Sequence, residues 1–333
     1  MTQQPLLQVK GLKTHFFLDE GTVKSVDGAD FSIMPASTVG VVGESGCGKS
    51  VTAFSILQLV SHPGRIVEGE ILWRRNGQNS EVVDLAKLKP NSRAMRAVRG
   101  GEISMIFQEP MVSLSPVHTV GDQITEVLRQ HRNLNKKDAR DRAIDMLRKV
   151  GIPQPERRID TYPFQMSGGM RQRTMIAMAL ACHPTLLIAD EPTTALDVTT
   201  QAQILELMLG LQREFNMAIM MITHNLGVVA EICNYVIVMY LGEVVEQAPV
   251  DALFHDARHP YTQALLRSIP VLGQSKTGRL DPIKGMVPDP YNRPQGCAFH
   301  PRCDRKIAGK CDLERIPLTS LPDGRTVRCV LYQ

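Results

Sequence analysis

The chain has 333 residues, and its 38 Lys and Arg against 34 Asp and Glu leave a net charge of +4. At 43% hydrophobic and 22% charged residues it has the composition of a folded globular protein, long enough for one large core and a smaller appendage. No apolar run approaches the roughly 18–20 residues of a membrane helix, so any membrane role is peripheral, and the start "MTQQPLLQVKGLK" has neither the basic opening nor the apolar stretch of a signal peptide.

In chain order, "LLQVKGLKTHFF" and "TVKSVDGADFSIM" read as short antiparallel strands. The apolar run "TVGVV" comes next, then "GESGCGKS" and the helix-like "VTAFSILQLV". Further strand-like runs are "ISMIFQ", "TLLIAD", "MAIMMIT", "NYVIVMY" and "EVVEQA", with amphipathic segments such as "TTQAQILELMLGLQREF" between several of them. This alternation predicts an α/β domain around a largely parallel sheet. Residues 119 to 180 look purely helical, as a subdomain inserted at about 110–180 would. Past residue 250 Pro, Arg and Cys rise, and "GQSKTGRLDPIKGMVPDPYNRPQG" has no convincing period. The expected division is therefore 1–250 for the main domain and 251–333 for a loop-rich extension.

Strand, glycine loop and helix in that order make "GESGCGKS" a full match to GxxxxGK[ST]. The glycines let backbone N–H groups point at phosphate oxygens beside the positive end of the next helix. The candidate nucleotide contacts are Gly43, Glu44, Ser45, Gly46, Cys47, Gly48, Lys49, Ser50 and Val51. Lys49 is placed to reach the β- and γ-phosphates and Ser50 to bind Mg²⁺, with Cys47 a small filler. In "TLLIADEPTTALD" four apolar residues run into Asp190 and Glu191. Asp190 suits a Mg²⁺-water ligand, and Glu191 a group that polarises the attacking water. Acids can simply end a strand, but here a phosphate loop stands upstream. In "FQMSGGMRQR", Ser167, Gly168 and Gly169 offer a second anion site at a helix start. One γ-phosphate cannot use both sites of one chain, whereas two chains facing head to tail would.

In this order the motifs resemble the ATP-binding subunit of an ABC transporter, over residues 6 to about 250. The resemblance implies an α/β P-loop NTPase of the ABC ATPase type, with an antiparallel β subdomain, an inserted helical subdomain and a small C-terminal extension. The family's LSGGQ signature stands here as "MSGGM": Met166 and Met170 replace the leucine and glutamine, while the serine and glycines are kept. Carried over by the resemblance, Gln108 in "ISMIFQEP" is a metal-water ligand that also senses the membrane partner. Asp197 in "TALD" lies at the dimer interface, and His224 in "MITHN" contacts the γ-phosphate, with Asn225 where aspartate is commoner. Phe16 in "LKTHFF" is the choice for stacking on adenine and Phe17 its rival, core packing being the ordinary alternative.

The segment "RHPYTQALLRSIP" resembles the HPY element of dipeptide and oligopeptide importer subunits. Beyond it, "GCAFHPRC…GKC…VRC" leaves five, seven and seventeen residues between successive cysteines, without the CxxC pairs a zinc ribbon wants. The resemblance implies a [4Fe–4S] cluster on Cys297, Cys303, Cys311 and Cys329, with His300 outside the ligand set; unligated thiols are the alternative. The implied function is an ATPase, using ATP and Mg²⁺, that powers peptide import from the cytoplasmic face of the bacterial inner membrane. Its implied partners are a second, related ATP-binding subunit, two permease subunits and an extracytoplasmic binding protein. Nickel, glutathione, opines or oligosaccharides are alternative cargoes. A soluble ABC ATPase acting on nucleic acid is the other class, disfavoured because no basic, aromatic-laced stripe stands out.

Overall fold

The structure is a computed structural model describing residues 4–75, 81–108, 113–194, 196–268 and 283–333. Residue 110 at the expected start of the helical subdomain, Ala195 of "TALD", the end of the HPY segment (269–270) and the stretch 273–282 lie outside the described residues.

The chain opens with β1 (Leu7–Leu18) and β2 (Gly21–Ile33), whose burial alternates over much of their length, the period of strands covered on one face. β3 (Thr38–Val42) is buried at every residue, as a strand covered on both faces must be. The helix α1 (Lys49–Ile56) starts from Gly48 in the left-handed region. β4 (Gly64–Arg74) is a further strand that the apolar runs did not announce, because Arg65, Glu68 and Glu70 break "RIVEGEILW". Short elements β5 (Val82–Asp84) and α2 (Arg93–Val98) lead to β6 (Ile103–Ile106). Among the described residues four helices follow: α3 (Val120–Arg132), α4 (Lys136–Lys149), the single turn α5 (Pro155–Arg158) and α6 (Gly168–Leu180). Then come β7 (Leu186–Asp190), α7 (Val198–Phe215), β8 (Ala218–Ile222), α8 (Leu226–Ile232), β9 (Tyr235–Tyr240) and β10 (Glu243–Pro249). The tail holds α9 (Val250–His255), α10 (Pro260–Arg267) and two-residue strands β11 (Thr319–Ser320) and β12 (Thr326–Val327).

The contacts divide the chain into two interleaved units. The first holds Ile33–Thr38 and Trp73–Ile222 with the start of the chain. In it β6, β7 and β8 lie parallel, with Ile106 opposite Ala189 and Asp190 opposite Ile222. All their residues are buried. Their carboxyl ends therefore finish side by side, the edge of a parallel sheet where ligand-binding groups collect. Helices α3, α4 and α6 pack on one another. Val120, Ile124 and Leu128 make the buried stripe of α3, and Ala139, Ala143, Met146 and Leu147 that of α4, at the spacing of an amphipathic helix. Side chains start each of these helices: Thr119 and Asp122 form a capping box on α3, Asn135 caps α4 and Ser167 caps α6.

The second unit holds Leu7–Ser32, Val39–Leu72 and Thr223–Gln333. It contains a sheet in the order β2-β1-β4 and a second set of strands in which β3 lies parallel to β9 and β10 antiparallel to it. The tail, expected as loop, adds to this sheet. β12 pairs antiparallel with β10, Glu246 opposite Val327, and β11 pairs with β12. The HPY segment is helical: Pro260 opens α10 and the His259 ring caps it, Nδ1 accepting from the Tyr261 N–H at 3.0 Å.

Candidate functional site

At Gly43 and Gly48 the loop Gly43–Ser50 runs so close to other backbone that there is no room for a side chain. A Cβ on Gly43, at φ +152°, would come within 2.2 Å of the Met239 carbonyl, and one on Gly48, at φ +95°, within 2.2 Å of that of Ser25. Lys49 is buried, 7% exposed, and its Nζ donates to the Gly43 and Glu44 carbonyls at 2.8 and 3.0 Å. The ammonium thus lies across the loop, where an incoming phosphate would meet it. Cys47 is buried, and desolvation pushes its thiol up against the pull of Lys49. Such a thiol is unreactive, in keeping with a filler. Ser50 is half-buried in the first turn of α1. Phe16 is half-buried, its ring packed where a Cβ on Gly64 would come within 2.6 Å. Phe17 is 41% exposed and carries the Arg65 guanidinium 4.4 Å above its ring. His224 and Asn225 are exposed, and Asn225 caps α8 through the Gly227 and Val228 N–H groups.

In the first unit the end of β7 gathers the acids. Asp190 is 1% exposed. Glu191 turns out of the strand with φ +48°, a conformation that costs a residue with a Cβ about 1–3 kcal/mol and clusters at functional sites. Its N–H donates to the Ile222 carbonyl at 2.9 Å. Its Oε2 accepts from Gln108 Nε2 at 3.1 Å and from Thr194 Oγ1 at 3.0 Å. Two residues picked separately in the sequence, Gln108 and Glu191, are therefore in direct contact. Thr194 and Gln172, whose amide donates to the Pro192 carbonyl, are additions. Both fix the turn after Glu191, and although they lie within "TALD" and "FQMSGGMRQR" neither was singled out there.

Ser167 and Gly168 are exposed at the start of α6, and Ser167 Oγ accepts from the Met170 N–H at 3.4 Å. A Cβ on Gly168 would meet nothing within 4 Å, and one on Gly169 only Thr200 Cγ2 at 3.5 Å. Thr200 is in turn held by Asp197, which accepts its N–H at 2.9 Å and its hydroxyl at 2.7 Å. These bonds draw the Asp197 carboxyl below its usual range. The serine-glycine start and Asp197 are thus neighbours. Met166 is 4% exposed and its sulfur accepts from Thr174 Oγ1, so it fills the leucine's place as a core residue.

Two residues the sequence reading passed over reach the phosphate loop from the tail. Tyr261 Oη accepts the Glu44 N–H at 2.8 Å. Arg302 grips the Glu44 carboxylate at 2.7 and 3.1 Å. The HPY motif was visible as a family mark, but nothing in its letters says where its tyrosine points.

The four tail cysteines line one small cavity together with His259, Phe299 and His300. All four are free thiols. Burial pushes Cys297 up to about 12, and the neighbouring sulfurs of Cys329, Cys311 and Cys303 add to it; burial also raises Cys303 and Cys329. The Cys297 N–H donates to the Cys311 carbonyl at 2.8 Å. Among the described residues no group of three or more His, Cys, Asp or Glu stands at metal-holding spacing.

Residues 26–194 match the ABC transporter family model, and residues 245–311 match the oligopeptide/dipeptide transporter C-terminal region. The chain belongs to the ABC transporter family. Among ABC transporter relatives it is 53% identical over 329 residues to the oligopeptide transport ATP-binding protein AppD of Bacillus subtilis (strain 168), covering 98% of this chain and 97% of that one. It is 49% identical over 324 residues to the dipeptide transport ATP-binding protein DppD of Escherichia coli (strain K12), covering 97% and 96%. The fold is that of ABC ATPase cassettes. The ATP-binding cassette MJ0796, in a dimeric post-hydrolysis state bound to ADP and Pi, superposes with a TM-score of 0.62 at 26% identity, covering 73% of this chain and 98% of that one. The cbiO1 protein of Clostridium perfringens, part of the transporter complex cbiONQ, gives 0.61 at 25% identity, with 76% and 92% covered. The second family match includes Cys297, Cys303 and Cys311 and ends before Cys329. Among the described residues no helix is long and apolar enough to cross a membrane.

Proposed function

We propose that this chain is the ATP-hydrolysing subunit that powers import of dipeptides or oligopeptides across the cytoplasmic membrane, attached peripherally to its inner face. The observation that carries the reading is the union, in one chain, of an ABC transporter cassette and the oligopeptide/dipeptide transporter C-terminal region. Full-length identity of about half to AppD and DppD supports it. Reconstitution with its permease subunits and binding protein tests it. Hydrolysis stimulated by peptide-loaded binding protein is expected. Stimulation by nickel, glutathione, an opine or an oligosaccharide alone would replace the cargo, and co-sedimentation with ribosomes without a membrane-bound pool would remove transport altogether.

The roles proposed follow from chemistry. Backbone N–H groups of the Gly43–Val51 segment, apart from that of Glu44, which Tyr261 Oη takes, and the Lys49 ammonium cradle the phosphates. Ser50, Gln108 and Asp190 are the proposed Mg²⁺ ligands, Gln108 and Asp190 through water; the ion neutralises charge on the transferring phosphoryl group. Glu191, already oriented by Gln108 and Thr194, accepts the hydrogen bond of the attacking water. His224 holds the γ-phosphate, and Phe16, a ring held against Gly64, stacks on adenine. Ser167, Gly168, Gly169 and Asp197 serve the nucleotide of a facing second ATP-binding subunit, proposed to be a different, related chain. The dimeric state of the MJ0796 cassette supports the facing arrangement. The full assembly adds two permease subunits and an extracytoplasmic binding protein.

For the tail, an iron–sulfur site is proposed on thiol chemistry alone, since no group of three or more such ligands stands at metal-holding spacing among the described residues. Four thiols line one cavity with the fully buried His259 ring. Cys297, Cys303, Cys311 and Cys329 are the proposed ligands of a [4Fe–4S] cluster, which would cross-link a tail that has little core of its own.

A further inference from the structure

We propose that Arg302 is a positioning residue for ATP: it holds the carboxylate of Glu44 so that the phosphate loop is preformed and its only acid is neutralised. The inference rests on reading Gly43–Ser50 as the phosphate loop, and goes beyond it by assigning the C-terminal extension a part in nucleotide binding.

Every polar group of Glu44 is tied. Its N–H donates to Tyr261 Oη at 2.8 Å, its carbonyl accepts from Lys49 Nζ at 3.0 Å, and its two carboxylate oxygens accept from Arg302 Nη1 and Nη2 at 2.7 and 3.1 Å. The guanidinium is itself fully used. Nε donates to the Lys284 carbonyl at 3.0 Å, Nη1 also to Tyr240 Oη at 3.3 Å, and Nη2 also to the Ile283 carbonyl at 3.5 Å. Five donors thus meet five acceptors, a match that only the planar arginine fork can make. The Arg302 side chain is 4% exposed against 24% for Glu44. The rings of Tyr240 and Phe299 lie 5.9 Å from its Cζ. The cation is therefore a fixed post, and the loop residue is what it restrains.

The electrostatic reason is direct. A loop that binds a polyanion through its N–H groups gains from positive charge and loses from a free carboxylate within it. Paired with Arg302, Glu44 presents no net charge and cannot turn toward the phosphates. Without its partner, the carboxylate is both unneutralised and free to rotate.

A stabilising tether and a positioning residue differ in what rescues them. In the full-length chain, Arg302→Gln is expected to raise the Kd for ATP roughly tenfold or more, since a bidentate charge-assisted pair is lost. Adding Glu44→Gln removes the uncompensated charge and should bring the Kd back to within about threefold of the parent. Thermal melting accompanies each measurement, and should Arg302→Gln fail to fold, Arg302→Lys, which keeps the charge but loses the two-pronged grip, replaces it: a smaller rise in Kd supports the proposal and an unchanged Kd overturns it. ATP binding unchanged in folded Arg302→Gln, or a double variant as weak as the single one, overturns the proposal. Lys49→Ala separates the two readings. If it abolishes binding while the Arg302 variants bind normally, only this inference falls; if it leaves binding intact, the phosphate-loop reading falls first.

Discussion

Side chains at Glu191 and at two glycines carry the sharpest expectations. Glu191 sits in a left-handed turn, held by Gln108 and Thr194, and is proposed to orient the attacking water. Glu191→Gln should lower ATP turnover by about 10²–10⁴-fold, the range for loss of a general base. It should also leave ATP trapped in a dimer that gel filtration detects; phosphate release at the parental rate would remove Glu191 from the mechanism. Gly43→Ala and Gly168→Ala should part ways. The first drives a Cβ to 2.2 Å from the Met239 carbonyl, so melting temperature and ATP binding should both fall. At Gly168 a Cβ meets nothing within 4 Å in the chain. Melting should stay near the parent while turnover drops, because in the proposed facing arrangement the new methyl group would stand against the second subunit's nucleotide. The glycines were legible because loops that meet phosphate need them. Thr194 and Gln172 were not, since a threonine or glutamine gives no sign in sequence of the carbonyl or carboxylate it will find.

Among the elements, the buried strands announced themselves. β3, β7 and β8 are runs of apolar residues buried at every position, and a both-sides-covered strand has no other way to read. The helices of the inserted segment were equally plain, their stripes and caps agreeing. β4 was hidden because Arg65, Glu68 and Glu70 interrupt its apolar residues. The tail's helix and edge strands were hidden because they are short and depend on a partner. Glu246 shows how that partner works. It is fully buried on β10, and its two oxygens accept the N–H groups of Arg258 and His259 at 2.7 and 2.8 Å, seating the start of α10. Burial raises its carboxyl above the usual range while those donors oppose the rise. Glu246→Gln puts an amide NH₂ against one of the two donors and should cost about 1–3 kcal/mol, read as a lower urea midpoint with unchanged slope.

For the whole molecule, the proposed cluster offers the test that reaches furthest. Protein purified without oxygen should be brown, with iron and sulfide in equal amounts, and Cys303→Ser should lose both. Because burial raises the Cys297, Cys303 and Cys329 thiols, loading must release protons, so affinity for iron should rise with pH, and chelation should lower the melting temperature. Colourless protein with four titratable thiols would leave the cavity as packing alone. A last consequence concerns synthesis. The edge of β10 is closed by Thr326 and Val327, and Thr326 is translated 79 residues after its neighbour Gln247. Until they emerge, an unpaired strand edge stays open to any neighbouring chain. A message cut short before Thr326 should therefore yield insoluble polypeptide, although every nucleotide-binding motif had already been translated.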